Sequence, residues 1–144
     1  MNDLKEGLFR NAGKYSGNLR VVIGANVTKI PEYLFEAPAY SSDNPRIRSV
    51  VFEDGSVCQS IGNFAFYGCS ELNYITIPAS VTSVGRCVFY GCTSLGSISF
   101  EDTSNWYRSE YYPLTGGTSI SVESPTANAT YFKSTYYHDY WYKQ

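Results

Sequence analysis

Four cysteines, one histidine and two matched acidic pairs are the side chains of this 144-residue sequence whose types and spacing could do chemistry. Cys58, Cys69, Cys87 and Cys92 contain no C-x-x-C step, so neither a zinc ribbon nor a dithiol redox pair is indicated. Cys69 and Cys92 close the same motif 23 residues apart and are expected to form an inward ladder of small, hydrophobic thiols. A disulfide between them would need Cβ atoms about 3.5–4.5 Å apart. Ladder side chains run parallel at roughly 4.8 Å, which disfavours the bond. His138, in Tyr-His-Asp-Tyr, lies in a different segment from every cysteine, so a thiol–imidazole nucleophile is not expected. A single histidine also excludes His-pair catalysis and three-His metal sites, and His138 is read as a surface residue without a metal or pH role.

The acidic pairs are Phe52-Glu-Asp-Gly-Ser and Phe100-Glu-Asp-Thr-Ser. Carboxylates at matched positions could hold Ca²⁺, which takes several oxygen ligands. Pro78-Ala-Ser intervenes, however, leaving the pairs about 10 Å apart by strand spacing. Asp-Gly is also a common turn former, and turns are expected at both places. Two N-x-T sequons, at Asn26 and Asn128, matter only on a eukaryotic secretory route. No nucleophile, base and orienting group assemble, so the reading is non-catalytic, with no metal and no cofactor.

What must position these residues is a repeat. Leu72-x-x-Ile75-x-Ile77 falls on Leu95-x-x-Ile98-x-Phe100 at a shift of 23, and Ile47-x-x-Val50-x-Phe52 precedes it by 25. Asn18-x-x-Val21-x-Ile23 fits with its first apolar position lost. A second signature, Ile61-Gly-Asn-Phe-Ala-Phe-Tyr-Gly-Cys69, returns as Val84-Gly-Arg-Cys-Val-Phe-Tyr-Gly-Cys92. Weaker copies start at Ile30 and Leu4, and a Pro/Ser-rich loop at 37–45 lengthens one spacing. Each first motif predicts a short strand with alternate residues facing inward, ended by Pro78 in one copy. One such strand cannot bury its apolar side alone, so copies must stack. The second motif is too short and glycine-rich for a full helix. It predicts a helical or 3₁₀ turn driving Phe66 and Phe89 inward, and hence a narrow solenoid with a phenylalanine spine.

From Cys69 to Cys92 the sequence resembles the BspA-type leucine-rich repeats of bacterial and protist surface proteins. Leu72, Ile75 and Ile77 match the general L-x-x-L-x-L head, whereas the usual Asn-containing tail is missing, as is typical of that subfamily. The resemblance covers roughly 4–100 and is strongest at 47–100. It implies a leucine-rich-repeat coil of the α/β horseshoe class, but strand-rich, and a non-catalytic module for adhesion and protein contact. It also implies a cell-surface or secreted setting within a larger protein. The N-terminus shows no signal-peptide pattern, and the sequence opens mid-unit, which favours an excised C-terminal piece.

Composition changes after Thr103, dividing residues 1–102, about four coils, from an aromatic segment at 103–144. The sequence holds 14 Tyr, 8 Phe and 2 Trp, and both tryptophans, Trp106 and Trp141, fall in that segment. Thr118–Val122, Thr130–Lys133 and Tyr140–Lys143 read as two or three short strands separated by Gly116-Gly117 and Ser124-Pro125. A β-rich cap over the open end of the stack is the expected role. The alternative is a Tyr/Trp platform for glycans, a reading that requires Trp106 and Trp141 to be accessible.

The net charge of −2 argues against nucleic-acid binding, which needs clustered Lys and Arg. No apolar run approaches the roughly 18 residues of a membrane span, so membrane insertion is not expected. A protein ligand, extracellular or host, is expected on the outward strand positions Arg48, Ser49, Asn73, Tyr74, Thr76, Ser97 and Ser99. Arg48 and Tyr74 are the anchors of that set. Glycan binding, passive spacing and end-to-end self-association are the further expectations.

Overall fold

The computed structural model describes residues 19–37, 46–112 and 116–144. The repeat start at Leu4 and all but Ala37 of the 37–45 loop lie outside the described residues.

Each coil contributes a longer and a shorter strand. The first described coil holds β1 (Leu19–Ile23) and β2 (Lys29–Ile30); the second, β3 (Ile47–Phe52) and β4 (Ser60–Ile61). The third holds β5 (Tyr74–Ile77) and β6 (Ser83–Val84), and β7 (Ser97–Phe100) opens a fourth. In β5 the expected alternation is visible, with Ile75 and Ile77 buried and Tyr74 and Thr76 outside. The short strands form a continuous parallel ladder in which Ile30, Ile61 and Val84 are in register. The longer strands pair in parallel as β1 with β3 and β5 with β7, at the repeat register Ile75 to Ile98 and Ile77 to Phe100.

Between the two strands of a coil the chain makes turns rather than helices. Tyr33, Phe64 and Cys87 occupy the same position and all adopt the left-handed region, with φ of 59°, 57° and 55°. This conformation costs non-glycine residues of order 1–3 kcal/mol. It recurs because it turns the phenylalanine two residues later into the core. Phe35 stacks on Phe66 at 5.2 Å and Phe66 on Phe89 at 5.6 Å, the spine that the repeat predicts. Each buried ring contributes about 1.5–3 kcal/mol of transfer free energy, which offsets the turn strain. Gly68 is required where it stands: a Cβ there would meet Ala37 O at 2.5 Å, and its φ is +75°.

The aromatic segment comprises β8 (Trp106–Ser109), β9 (Thr118–Ser119), α1 (Pro125–Thr130) and β10 (Tyr140–Lys143). A π-helical turn, Tyr131–Thr135, extends α1. β10 runs antiparallel between β6 and β8, giving the sheet order β2-β4-β6-β10-β8-β9. The strand expected at 130–133 is instead the end of α1 and the start of the π turn. Ser124-Pro125, which reads as a turn, is a helix start: the Ser124 side chain accepts from Ala127 N, and proline at the first helical position loses no hydrogen bond. Of Thr118–Val122 only Thr118 and Ser119 form a strand, and Ile120 N adds one bond to Trp106 O.

These residues take the place of a further coil. Tyr33 N donates to Asn63 O and Phe64 N to Arg86 O, each to the coil that follows; Cys87 N donates to Tyr137 O at 2.6 Å. Phe132 meets Phe89 edge-on at 5.7 Å at the end of the spine, and Tyr137 extends the Tyr67–Tyr90 row. Asn128, fully buried, donates from Nδ2 to Ile98 O of β7 and to Val122 O, both at 2.8 Å. The described chain is therefore a strand-rich repeat fold with one short helix.

Candidate functional site

The outward positions of the longer strands form two rows. Tyr74 pairs with Ser97 and Thr76 with Ser99 across β5 and β7, while Arg20 and Val22 face Ser49 and Val51 across β1 and β3. Tyr74 is 52% exposed, Arg48, Asn73 and Thr76 are exposed, and Ser49, Ser97 and Ser99 are half-buried. The β1–β3 register slips by one residue between Leu19 and Arg20, so Arg48 is the residue passed over by the pairing. The structure thus brings the predicted strand positions onto one face and sets Arg48 at its edge. It adds Arg20, Val22 and Val51, which the repeat head would have pointed to had its first copy been followed outward as well as inward.

The face is interrupted between β3 and β5. At every other junction the residue after the strand closes the ladder: Glu53 N donates to Ile23 O at 2.9 Å and Glu101 N to Ile77 O at 3.0 Å. Their carboxylates add a second link, Glu53 to Ala25 N and Glu101 to Ala79 N, both at 2.9 Å. The acidic residue of both matched pairs thus closes a ladder, and the turn expected at the first pair follows at Asp54-Gly55. The third coil has Pro78 in that position, with no N–H and no carboxylate. Among the described residues only Asn73 N to Arg48 O, at 3.3 Å, links the backbones at the other end of the junction. The result is a cleft of about 510 Å³ lined by Val51, Phe52, Tyr74, Thr76 and Pro78, with Glu53, Asp54 and Glu101 around it.

The cysteines behave as buried structure. All four are free and buried; Cys69 Sγ lies 3.4 Å from Phe35 O and Cys92 Sγ 3.1 Å from Phe66 O, so each thiol donates to a spine carbonyl of the preceding coil. Burial pushes Cys69 up to about 12 and Cys92 well above the ordinary thiol range. One expectation is corrected here: His138 does reach a cysteine. The cap folds back so that its Nδ1 lies 3.8 Å from Cys87 Sγ and 3.5 Å from Arg86 Nη2. Burial raises the Cys87 pKa against the smaller lowering effect of Arg86, which favours the neutral thiol.

The tryptophan platform is also corrected. Trp106 is 2% exposed and Trp141 0%, because Trp106 packs edge-on against Phe100 and Trp141 stacks on Phe132. The exposed rings of this segment are Tyr111 and Tyr112. Of the two sequons, Asn26 lies exposed in a turn, whereas Asn128 is committed to its two carbonyls and out of reach in the folded chain.

Parallel strand ladders, a repeating turn and a stacked phenylalanine spine define a leucine-rich-repeat protein. The family model of the BspA type leucine rich repeat region, in six copies, matches residues 38–138, and the chain belongs to that family. Such repeats are generally protein-interaction modules, generally non-catalytic, and typical of surface or secreted proteins. No curated protein and no solved structure matches the chain. Among the described residues no helix is long and apolar enough to cross a membrane.

Proposed function

We propose that this chain is a non-catalytic adhesion or interaction module that binds a protein ligand through its outward strand face. The observation that carries this is Tyr74, a half-exposed aromatic ring at the head of β5, in register with Ser97 and beside the small side chains Thr76 and Ser99. Large rings that offer apolar area with a polar tip are frequent anchors of protein interfaces. Arg48 at the edge supplies a second anchor, with Ser49, Asn73, Thr76, Ser97 and Ser99 as the surface that excludes water between them. The coils at 1–102 act as a solenoid segment and 103–144 as its cap, within a larger cell-surface or secreted protein. End-to-end association of the coils is a further part of this reading, and sedimentation of a strict monomer would count against it.

The test is a binding screen of the purified chain against extracellular-matrix proteins, beside a glycan array. Saturable protein binding that falls at least tenfold in Tyr74→Ala and Arg48→Ala supports the reading. Binding unaffected by both substitutions places the site elsewhere. Glycan binding lost with Tyr111→Ala and Tyr112→Ala moves it to the cap, and silence on both panels favours a spacer.

A further inference from the structure

The cleft between β3 and β5 has a selectivity of its own, which rests on the strand face being a binding surface. Its volume of about 510 Å³ falls in the range of ligand-sized clefts, roughly 300–1,000 Å³. The apolar wall is Val51 with the exposed ring of Tyr74. Three carboxylates, Glu53, Asp54 and Glu101, surround it, and no Lys, Arg or His is among its lining residues. Glu53 and Glu101 each engage a backbone N–H through one oxygen, while Asp54, exposed at the turn, makes no such bond among the described residues. Ser80 Oγ, in the same wall, is buried without a hydrogen-bond partner among the described residues.

This charge pattern chooses the occupant. A carboxylate entering the cleft would meet like charge. A lysine or arginine instead finds apolar surface for its aliphatic stem at Val51 and the Tyr74 ring, and carboxylates for its cation farther along the cleft. We propose that the cleft receives a lysine or arginine side chain carried on an extended segment of a partner protein. Pro78 makes the site: with a Glu–Pro–Glu succession at equivalent positions 53, 78 and 101, only the proline junction stays open.

The experiment is amide chemical-shift titration of the ¹⁵N-labelled chain with blocked peptides Thr-Val-Lys-Val-Thr and Thr-Val-Glu-Val-Thr. Asp54, Gly55, Thr76 and Ala79 are the reporters. The lysine peptide is expected to shift them saturably, with affinity falling about fivefold between low and physiological salt. Asp54→Asn and Tyr74→Ala are each expected to weaken it at least about fivefold, and Pro78→Glu, which restores both missing links, to abolish it. Equal shifts from the two peptides, or shifts confined to other residues, overturn the inference. A protein ligand that depends on Tyr74 and Arg48 but ignores Asp54→Asn and Pro78→Glu also overturns it, and leaves the strand-face reading standing. Conversely, a lysine peptide seated in the cleft while protein binding ignores Tyr74 and Arg48 defeats the broader reading alone.

Discussion

Two ladders hold one coil to the next, and they do it differently. The short strands β2, β4 and β6 are in register without a break, and β10 closes them. The longer strands are in register only in pairs, β1 with β3 and β5 with β7, and their last edge is covered by Asn128 rather than by a strand. Both ladders face the same core, and the spine of Phe35, Phe66 and Phe89 runs uninterrupted past the open junction. Pairing of the longer strands is thus separable from stacking of the spine. The spine and the short-strand ladder hold the coils together across that junction, which leaves its outer edge free to open as a cleft.

If so, the largest loss should come from the spine. Phe89→Ala removes the ring that joins Phe66 to Phe132 and is expected to destabilise the chain by about 3–5 kcal/mol, read from urea unfolding. A loss below 1 kcal/mol would return cohesion to the ladders.

Next is Asn128→Ala at the covered edge of β7. It leaves the carbonyls of Ile98 and Val122 buried and unpaired, for a cost of about 2–4 kcal/mol in the same assay. A neutral result would mean that α1 covers the edge by packing alone.

Pro78→Ala sharpens the comparison with little energy. The new N–H contributes about 1 kcal/mol by donating to Phe52 O, and loss of the proline costs roughly as much through the freer unfolded chain. Stability should therefore change by less than about 1 kcal/mol, while hydrogen exchange shows a protected amide at 78. A fast-exchanging amide there would show that proline is not what keeps β3 and β5 apart.

The smallest effect belongs to the join between cap and coil. Lys143 bonds the Asp102 carboxylate and, with Ser104, holds it below the usual carboxylate range. A depressed folded value means this contribution is complete above the unfolded carboxylate range and is lost as pH falls through the folded one. Asp102→Asn should lower the melting temperature slightly near neutral pH and converge with the parent under strongly acidic conditions. An equal gap at every pH would place the effect elsewhere.

Much of this was legible in the amino-acid order, and the reasons are local. Alternating Ile75 and Ile77 dictate a strand face, recurrence at 23 residues dictates stacking, and the shared position of Phe66 and Phe89 dictates a spine, because period and identity suffice for all three. Tyr74 and Thr76 were readable as outward for the same reason. Thr130–Lys133 was misread because Ser124-Pro125 serves equally as a turn or a helix start, and only the packing of α1 on β7 decides between them. His138 and Cys87 are 51 residues apart, and no periodicity relates a cap to the coil it closes. The burial of Trp106 and Trp141 and the capture of Asn128 likewise depend on where the chain returns after its last repeat. Pro78 shows the division most plainly. Its chemistry, a missing N–H and a missing carboxylate, is written in the sequence, but the lost links become a cleft only once Glu53 and Glu101 are seen closing the junctions on either side.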